Sequence, residues 1–175
     1  TESLFSMEGT TAPIKEISKL CIKYDSKLLI DEAHAFGVMG PEGRGESFGL
    51  KEPISIISGT FGKAFGSGGA FLATDKITGE NLIQNCGAFR YTTALAPPLC
   101  ASALAALNLI QSNPSWGSEL KEKAIAFRDR LSQLGWQRPV GEGPIISIIL
   151  GSDELAIDCQ KKLEAQGLLA VAIRP

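Results

Sequence analysis

Residues 28–34 read Leu28-Leu29-Ile30-Asp31-Glu32-Ala33-His34, an apolar run that stops at an acid and then a histidine. The run predicts a short buried strand, with the polar residues marking its carboxyl end. The arrangement recurs: Ile54-Ser55-Ile56-Ile57-Ser58 leads into Gly59-Thr60-Phe61-Gly62-Lys63. A third polar terminus is Ser6, in Leu4-Phe5-Ser6-Met7, which reads as the end of a strand. Between the strand end at Ser6 and the strand that ends at Asp31, Ile14, Ile17, Leu20, Cys21 and Tyr24 recur at helical spacing and predict one buried face. Gly9-Thr10-Thr11-Ala12-Pro13 before them offers a threonine N-cap and a proline in the first turn. Apolar strands bounded by helices indicate a largely parallel α/β sheet, whose ligands sit at the carboxyl ends of the strands.

Working outward, residues 37–49 are glycine-rich and predict a loop, and Ala70-Phe71-Leu72-Ala73 predicts a further strand. A helix is expected over 77–86. Pro97-Pro98 opens another to about residue 111, apolar nearly all round and therefore expected to be buried. Leu120, Ala124, Phe127, Leu131 and Leu134 mark the next helix, with Lys121, Lys123, Arg128 and Asp129 on its wet side and Gly135 as its stop. After Gly141-Glu142-Gly143-Pro144 the pattern restarts with a strand at 145–150, a helix at 153–166 and a strand at 168–173. Two domains are expected, 1–137 and 138–175.

Composition narrows the class. Of 175 residues, 44% are hydrophobic and 21% charged, enough apolar material for a core and too much for disorder. A net charge of −2 argues against a nucleic-acid partner. No run of about 18 apolar residues is present, so no membrane span is expected. No signal peptide is visible, and an opening on Thr1-Glu2-Ser3 rather than Met points to a trimmed start. Cys21, Cys86, Cys100 and Cys159 fit no zinc or CxxC spacing and read as buried free thiols of a reducing cytosol, which predicts a cytoplasmic protein. A single histidine excludes a multi-histidine metal site, and no metal is expected.

The strand-end residues suit particular chemistry. Asp31 could meet a protonated pyridine nitrogen, or serve as a helix cap or ion-pair partner. His34 could stack on a ring or donate to a phenolate oxygen, or be an ordinary loop histidine. Lys63, in a turn crowded by Gly59, Gly62, Gly66, Gly68 and Gly69, could be a surface charge or a partly desolvated amine that forms a Schiff base. Thr60 and Ser58 offer hydroxyls to a phosphate. Asp31-Glu32-Ala33-His34 also spells a DEAH-box NTPase motif. The P-loop such enzymes need is absent, because Gly62-Lys63 is preceded five residues earlier by Ile57 and followed by Ala64.

A wider match runs through the chain. Leu29-Ile30-Asp31-Glu32-Ala33-His34-Ala35-Phe36-Gly37-Val38-Met39-Gly40-Pro41-Glu42-Gly43-Arg44-Gly45 resembles the α-oxoamine synthases. Phe5-Ser6-Met7-Glu8-Gly9, Gly59-Thr60-Phe61-Gly62-Lys63-Ala64-Phe65-Gly66, Tyr91-Thr92-Thr93-Ala94-Leu95-Ala96-Pro97-Pro98 and Ala172-Ile173-Arg174-Pro175 are similar to further motifs of that family, in the same order. The resemblance implies the aspartate-aminotransferase-like fold, type I: the second half of a large domain with a mainly parallel sheet, plus the start of a small α/β domain. It also implies pyridoxal 5'-phosphate (PLP) as cofactor. Lys63 would hold PLP and act as acid and base. Asp31 would keep the pyridine nitrogen protonated. His34 and Ser6 would hydrogen-bond its phenolic oxygen, and Thr60 its phosphate. Thr92 and Thr93 would reach the phosphate of a neighbouring subunit in a homodimer, and Arg174 would clamp a substrate carboxylate.

The details most resemble the member that condenses alanine with a pimeloyl thioester (CoA or acyl-carrier protein), losing CO2. Members that use glycine or serine, such as glycine C-acetyltransferase, and a non-catalytic dimerisation relative are the alternatives. Family members are about twice as long, so the chain is expected to be a fragment that is inactive alone.

Overall fold

The computed structural model describes residues 1–174. Three strands form one sheet in the order β1 (Leu29–Asp31), β2 (Ile56–Thr60), β3 (Ala70–Thr74). β1 and β2 run parallel with Leu29 opposite Ile56 and Asp31 opposite Ser58; β2 and β3 run antiparallel. The sheet is therefore mixed, within an α/β fold. The antiparallel step follows from a glycine-rich turn, residues 61–69, that is too short for a helical crossover.

The amino terminus extends along the free edge of β1 without a full ladder. Glu2 bridges Asp31 in parallel, Ser3 N–H donates to Asp31 O at 2.9 Å, and Asp31 N–H to Thr1 O at 2.9 Å. Leu4 bridges Thr11, so the expected strand end at Leu4–Met7 is a single bridge, and Ser6 lies in the turn beyond it. That bridge occupies the threonines, and α1 (Ile14–Lys23) is capped by Pro13 with no side-chain cap. Its inward face is Ile14, Ile17, Ser18 and Cys21, with Ser18 Oγ donating to Pro53 O; Leu20 and Tyr24 face out.

One core cluster joins Ile14, Leu28 and Ile30; another joins Leu4, Ala35 and Met39, with Val38 and Ile145 packed on it. Burying each such Leu or Ile contributes roughly 1.5–3 kcal/mol.

After β3 come α2 (Lys76–Asn85), N-capped by the Asp75 carboxylate on Thr78 N–H, the single turn α3 (Gly87–Arg90), α4 (Pro97–Ser112) and α5 (Trp116–Gln133). α4 departs from expectation. Only Ala103 is buried, while Leu99, Leu104, Leu107 and Leu109 are exposed, because the elements present cover only one side of it. On α5 the inward face is Leu120, Ala124, Arg128 and Leu131. Arg128, expected in water, is 0% exposed. Gly135 stops the helix at φ 90°.

The strands expected at 145–150 and 168–173 do not form ladders; among the described residues neither has a pairing partner. α6 (Asp153–Glu164) does form, capped by Ser152 Oγ on Leu155 N–H. The four cysteines are free, three half-buried and Cys100 exposed, so none is fully buried as expected. Among the described residues no helix is long and apolar enough to cross a membrane.

Candidate functional site

Parallel pairing brings the carboxyl ends of β1 and β2 to one edge. Asp31 closes β1 opposite Ser58, and β2 continues two residues to Thr60. The turn after Thr60 is built by Phe61 N–H to Gly69 O (2.9 Å), Ser67 N–H to Phe61 O (2.8 Å) and Gly66 N–H to Lys63 O (2.9 Å). Thr60 Oγ1 accepts from Gly62 N–H and donates to Gly69 O, both at 3.1 Å. These bonds hold Lys63 in the turn, with an exposed side chain that joins no ion pair among the described residues.

Asp31 Oδ1 accepts from Ala33 N–H at 2.7 Å, turning the chain directly after the strand. Its other oxygen has no hydrogen-bond partner among the described residues. His34 follows in that turn, half-buried. Desolvation lowers its pKa below 6.5, and the Lys63 ammonium lowers it further, against the raising effects of Glu2 and Asp31. Burial thus favours the neutral imidazole, and Lys63, Glu2 and Asp31 share its electrostatic neighbourhood.

Two acids contribute that sequence reasoning did not place. Glu2 Oε2 accepts from Ser6 N–H at 3.2 Å and fixes the turn that carries Ser6. Glu32 is 0% exposed and takes three donors: Ser3 Oγ at 2.5 Å, Ser47 N–H at 2.7 Å and Glu46 N–H at 3.2 Å. It ties the glycine-rich loop to β1. A glutamate so enclosed is unavailable to a nucleotide, which removes the structural basis of the DEAH-box alternative.

The remaining expected residues lie elsewhere. Thr92 and Thr93 are exposed, between α3 and α4. Their segment does meet the lysine turn. Ser67 Oγ donates to Leu99 O at 2.7 Å, and the side chains of Leu95 and Leu99 fill the space beside Gly69 and Gly68. Arg174 is exposed and shares a cleft with Ile157, Gln160, Lys161 and Ala172, where Ala172 N–H donates to Gln160 Oε1 at 2.7 Å. The structure thus gathers Asp31, His34, Lys63 and Thr60 at the sheet edge, with Ser6 tied to it through Glu2. It sets Arg174 against α6.

Comparison with known proteins extends the geometry. The chain is 40% identical over 177 residues to a putative 8-amino-7-oxononanoate synthase of Acetivibrio thermocellus, covering 100% of this chain and 46% of that protein. It is 39% identical to the 8-amino-7-oxononanoate synthase of Methylobacillus flagellatus, covering 99% of this chain and 44% of that one. The chain spans about half the length of these curated relatives. Among solved structures, the 8-amino-7-oxononanoate synthase of Francisella tularensis superposes with a TM-score of 0.87 at 29% identity, over 99% of this chain and 52% of that one. A serine palmitoyltransferase (SPT) solved with PLP gives 0.91 at 29%, over 99% and 45%. The strand-end acid, the lysine turn and the fold around them agree with a family description that matches residues 1–175 without a break: the chain belongs to the aminotransferase class I and II family, a family of PLP-dependent enzymes.

Proposed function

We propose that this chain forms the lysine-bearing part of a PLP site in a C-acyltransferase that condenses L-alanine with a pimeloyl thioester to give 8-amino-7-oxononanoate. The observation that carries the reading is Lys63. Among the described residues its amine joins no ion pair and one Asp31 carboxylate oxygen accepts no hydrogen bond, and the amine lies in the electrostatic neighbourhood of the His34 imidazole. A pyridine ring with a basic nitrogen, a phenolic oxygen and an aldehyde fits that donor set. Thr60 fits the phosphate only if its hydroxyl turns away from Gly69 O.

Bound PLP would supply an electron sink for a carbanion at the substrate α-carbon. Asp31 holds the proton on the ring nitrogen. His34, kept neutral, donates one N–H to the phenolic oxygen, joined there by Ser6. Lys63 would hold the cofactor covalently and would move the proton at the α-carbon, where a lysine can act only once its amine is unprotonated. In this reading the thioester would lose its thiol as the carbon–carbon bond forms, and the resulting β-keto acid would lose CO2. Arg174 clamps the substrate carboxylate, and Thr92 and Thr93 reach the phosphate of a second copy in a cytosolic homodimer. Residues 1–137 belong to the large domain in this reading, and 138–175 to the small one.

A second reading keeps the chemistry and changes the substrates. The TM-score to serine palmitoyltransferases (0.90 to that of Sphingomonas wittichii) is as high as to the solved 8-amino-7-oxononanoate synthase. Two measurements in the protein that carries this chain decide. PLP should give a visible absorption band that Lys63→Ala abolishes; an unchanged band removes Lys63 from its role. Thiol release from a pimeloyl thioester should require alanine, and a preference for glycine or serine would favour the second reading.

A further inference from the structure

Arg128 is a cation buried in the core and bonded to backbone. It is 0% exposed and joins no ion pair among the described residues. Its guanidinium donates instead to four backbone carbonyls: Nε to Val140 O at 3.1 Å, Nη1 to Ala124 O at 3.3 Å and to Gly143 O at 2.9 Å, and Nη2 to Ile145 O at 2.6 Å. A buried charge is tolerated only where hydrogen bonds replace its water, and carbonyl dipoles do that here. Three of the four carbonyls lie in residues 140–145, which have no helix or strand of their own. The side chain therefore sets the path of a segment that no ladder holds.

That segment lies on the turn that carries Ser6. Gly9 and Gly141 approach backbone to backbone, and the Ile145 carbonyl sits over Gly9, so a Cβ on either glycine would overlap the opposing chain. Ile145 also packs on the Leu4, Ala35 and Met39 cluster. Ser147 Oγ donates to Met7 O, next to Ser6. From the other side, the Glu2 carboxylate holds Ser6 N–H. The turn is thus gripped between the amino-terminal edge strand and a strap of residues 140–147, and the strap is set by Arg128.

We propose that Arg128 is a positioning residue for the Ser6 side of the cofactor site, acting through residues 140–147; the cofactor half of this statement rests on the PLP reading above. A lysine cannot replace it. An ammonium is a single point of donors, whereas the planar fork reaches carbonyls from Ala124 to Ile145 at once. A loosened strap releases Met7 and with it Ser6. Asp31 and Lys63 are placed by β1 and by the turn after β2, so they stay where they are.

Two variants test this in the protein that carries the chain, Arg128→Lys and Ser147→Ala. The second cuts only the link to Met7 and leaves the guanidinium in place, so it decides the matter if the first fails to fold. Without cofactor, amide hydrogen exchange at Gly9, whose N–H bonds Phe5 O at 3.0 Å, should quicken in both variants. Exchange within β2 should not change. With PLP, each variant should bind about tenfold more weakly, the worth of one charge-assisted hydrogen bond. In a Ser6→Ala background the same changes should add almost nothing. Unchanged exchange at Gly9 overturns the proposal whether or not PLP binds. Equal losses with and without Ser6 overturn the link to the cofactor. Absence of any Lys63-dependent band in the unmodified protein would count against the PLP reading alone, and the exchange result would still decide the role of the strap.

Discussion

Ser3 Oγ donates to Glu32 Oε2 at 2.5 Å, and both residues are 0% exposed. The bond joins the amino-terminal edge of the sheet to the residue just after Asp31. The same carboxylate holds the amides of Glu46 and Ser47. Replacing Glu32 by Ala strands two buried donors, Ser3 Oγ and Ser47 N–H, and the half-buried Glu46 N–H, and each stranded buried donor costs about 1–3 kcal/mol. Glu32→Ala should destabilise by roughly 3–5 kcal/mol, as for a buried charged group whose partners are left behind. Glu32→Gln keeps one acceptor oxygen and should cost less. Denaturant unfolding midpoints check the order, and equal midpoints for the two variants would mean that the carboxylate does not organise the loop.

Gly45 and Gly49 separate steric from conformational cost. Both have positive φ, 91° and 81°, but a Cβ on Gly45 would meet the Glu32 carboxylate at 2.9–3.0 Å, whereas one on Gly49 meets nothing within 4 Å. Gly49→Ala should cost about 1 kcal/mol from backbone strain alone. Gly45→Ala should cost clearly more, since it also displaces a buried charge. Thermal melts of the two variants suffice, and a smaller shift for Gly45→Ala would show the loop is free to move off Glu32.

His34 is the only histidine, so its imidazole C–H resonance needs no assignment. Its folded pKa lies below 6.5, through desolvation first and Lys63 second. The unfolded chain therefore binds more protons between the two values. Stability from this group is present above pH 6.5 and is lost as pH falls from 6.5 through the folded pKa. In cofactor-free protein, Lys63→Ala should raise the NMR titration midpoint of His34. A midpoint that ignores Lys63 would separate the two residues and weaken the site.

Glu46 titrates the other way. Burial raises its pKa above 4.5, with Glu32 adding to the rise and Lys121 opposing it. Its folded form holds a proton more tightly than the unfolded form, so ionisation at neutral pH works against folding. Glu46→Gln should therefore stabilise at pH 7, with the gain vanishing as pH falls below about 4.5, where the glutamate is protonated in both states. A loss of stability at pH 7 would mean the ion-attracting contacts outweigh burial.

Some of this architecture was open to reading and some was not. The strand ends at Asp31 and Thr60, and helices α1, α2, α4, α5 and α6, follow from local periodicity and turn residues, which act over a few neighbours. Glu2 pairs with Asp31 of β1, almost thirty residues away, a partner that local pattern does not reveal. Arg128 misled because a charged residue at that spacing is normally solvated. Its burial depends on carbonyls from residues 140, 143 and 145 arriving around it. The apolar girth of α4 predicted a cover that the elements present supply on one side only.

By itself the order of residues determined strands β1, β2 and β3 and the longer helices, that a lysine follows one strand and an acid ends another, and to which family such motifs belong. These are short-range properties, set by side-chain periodicity and backbone preference. Tertiary structure alone decided that Lys63 makes His34 harder to protonate, that Glu32 is a buried anchor rather than an exposed ligand, and that a guanidinium on α5 governs the turn of Ser6. Each depends on contacts between distant segments and on the loss of water around a charge, and neither exists until the chain has packed.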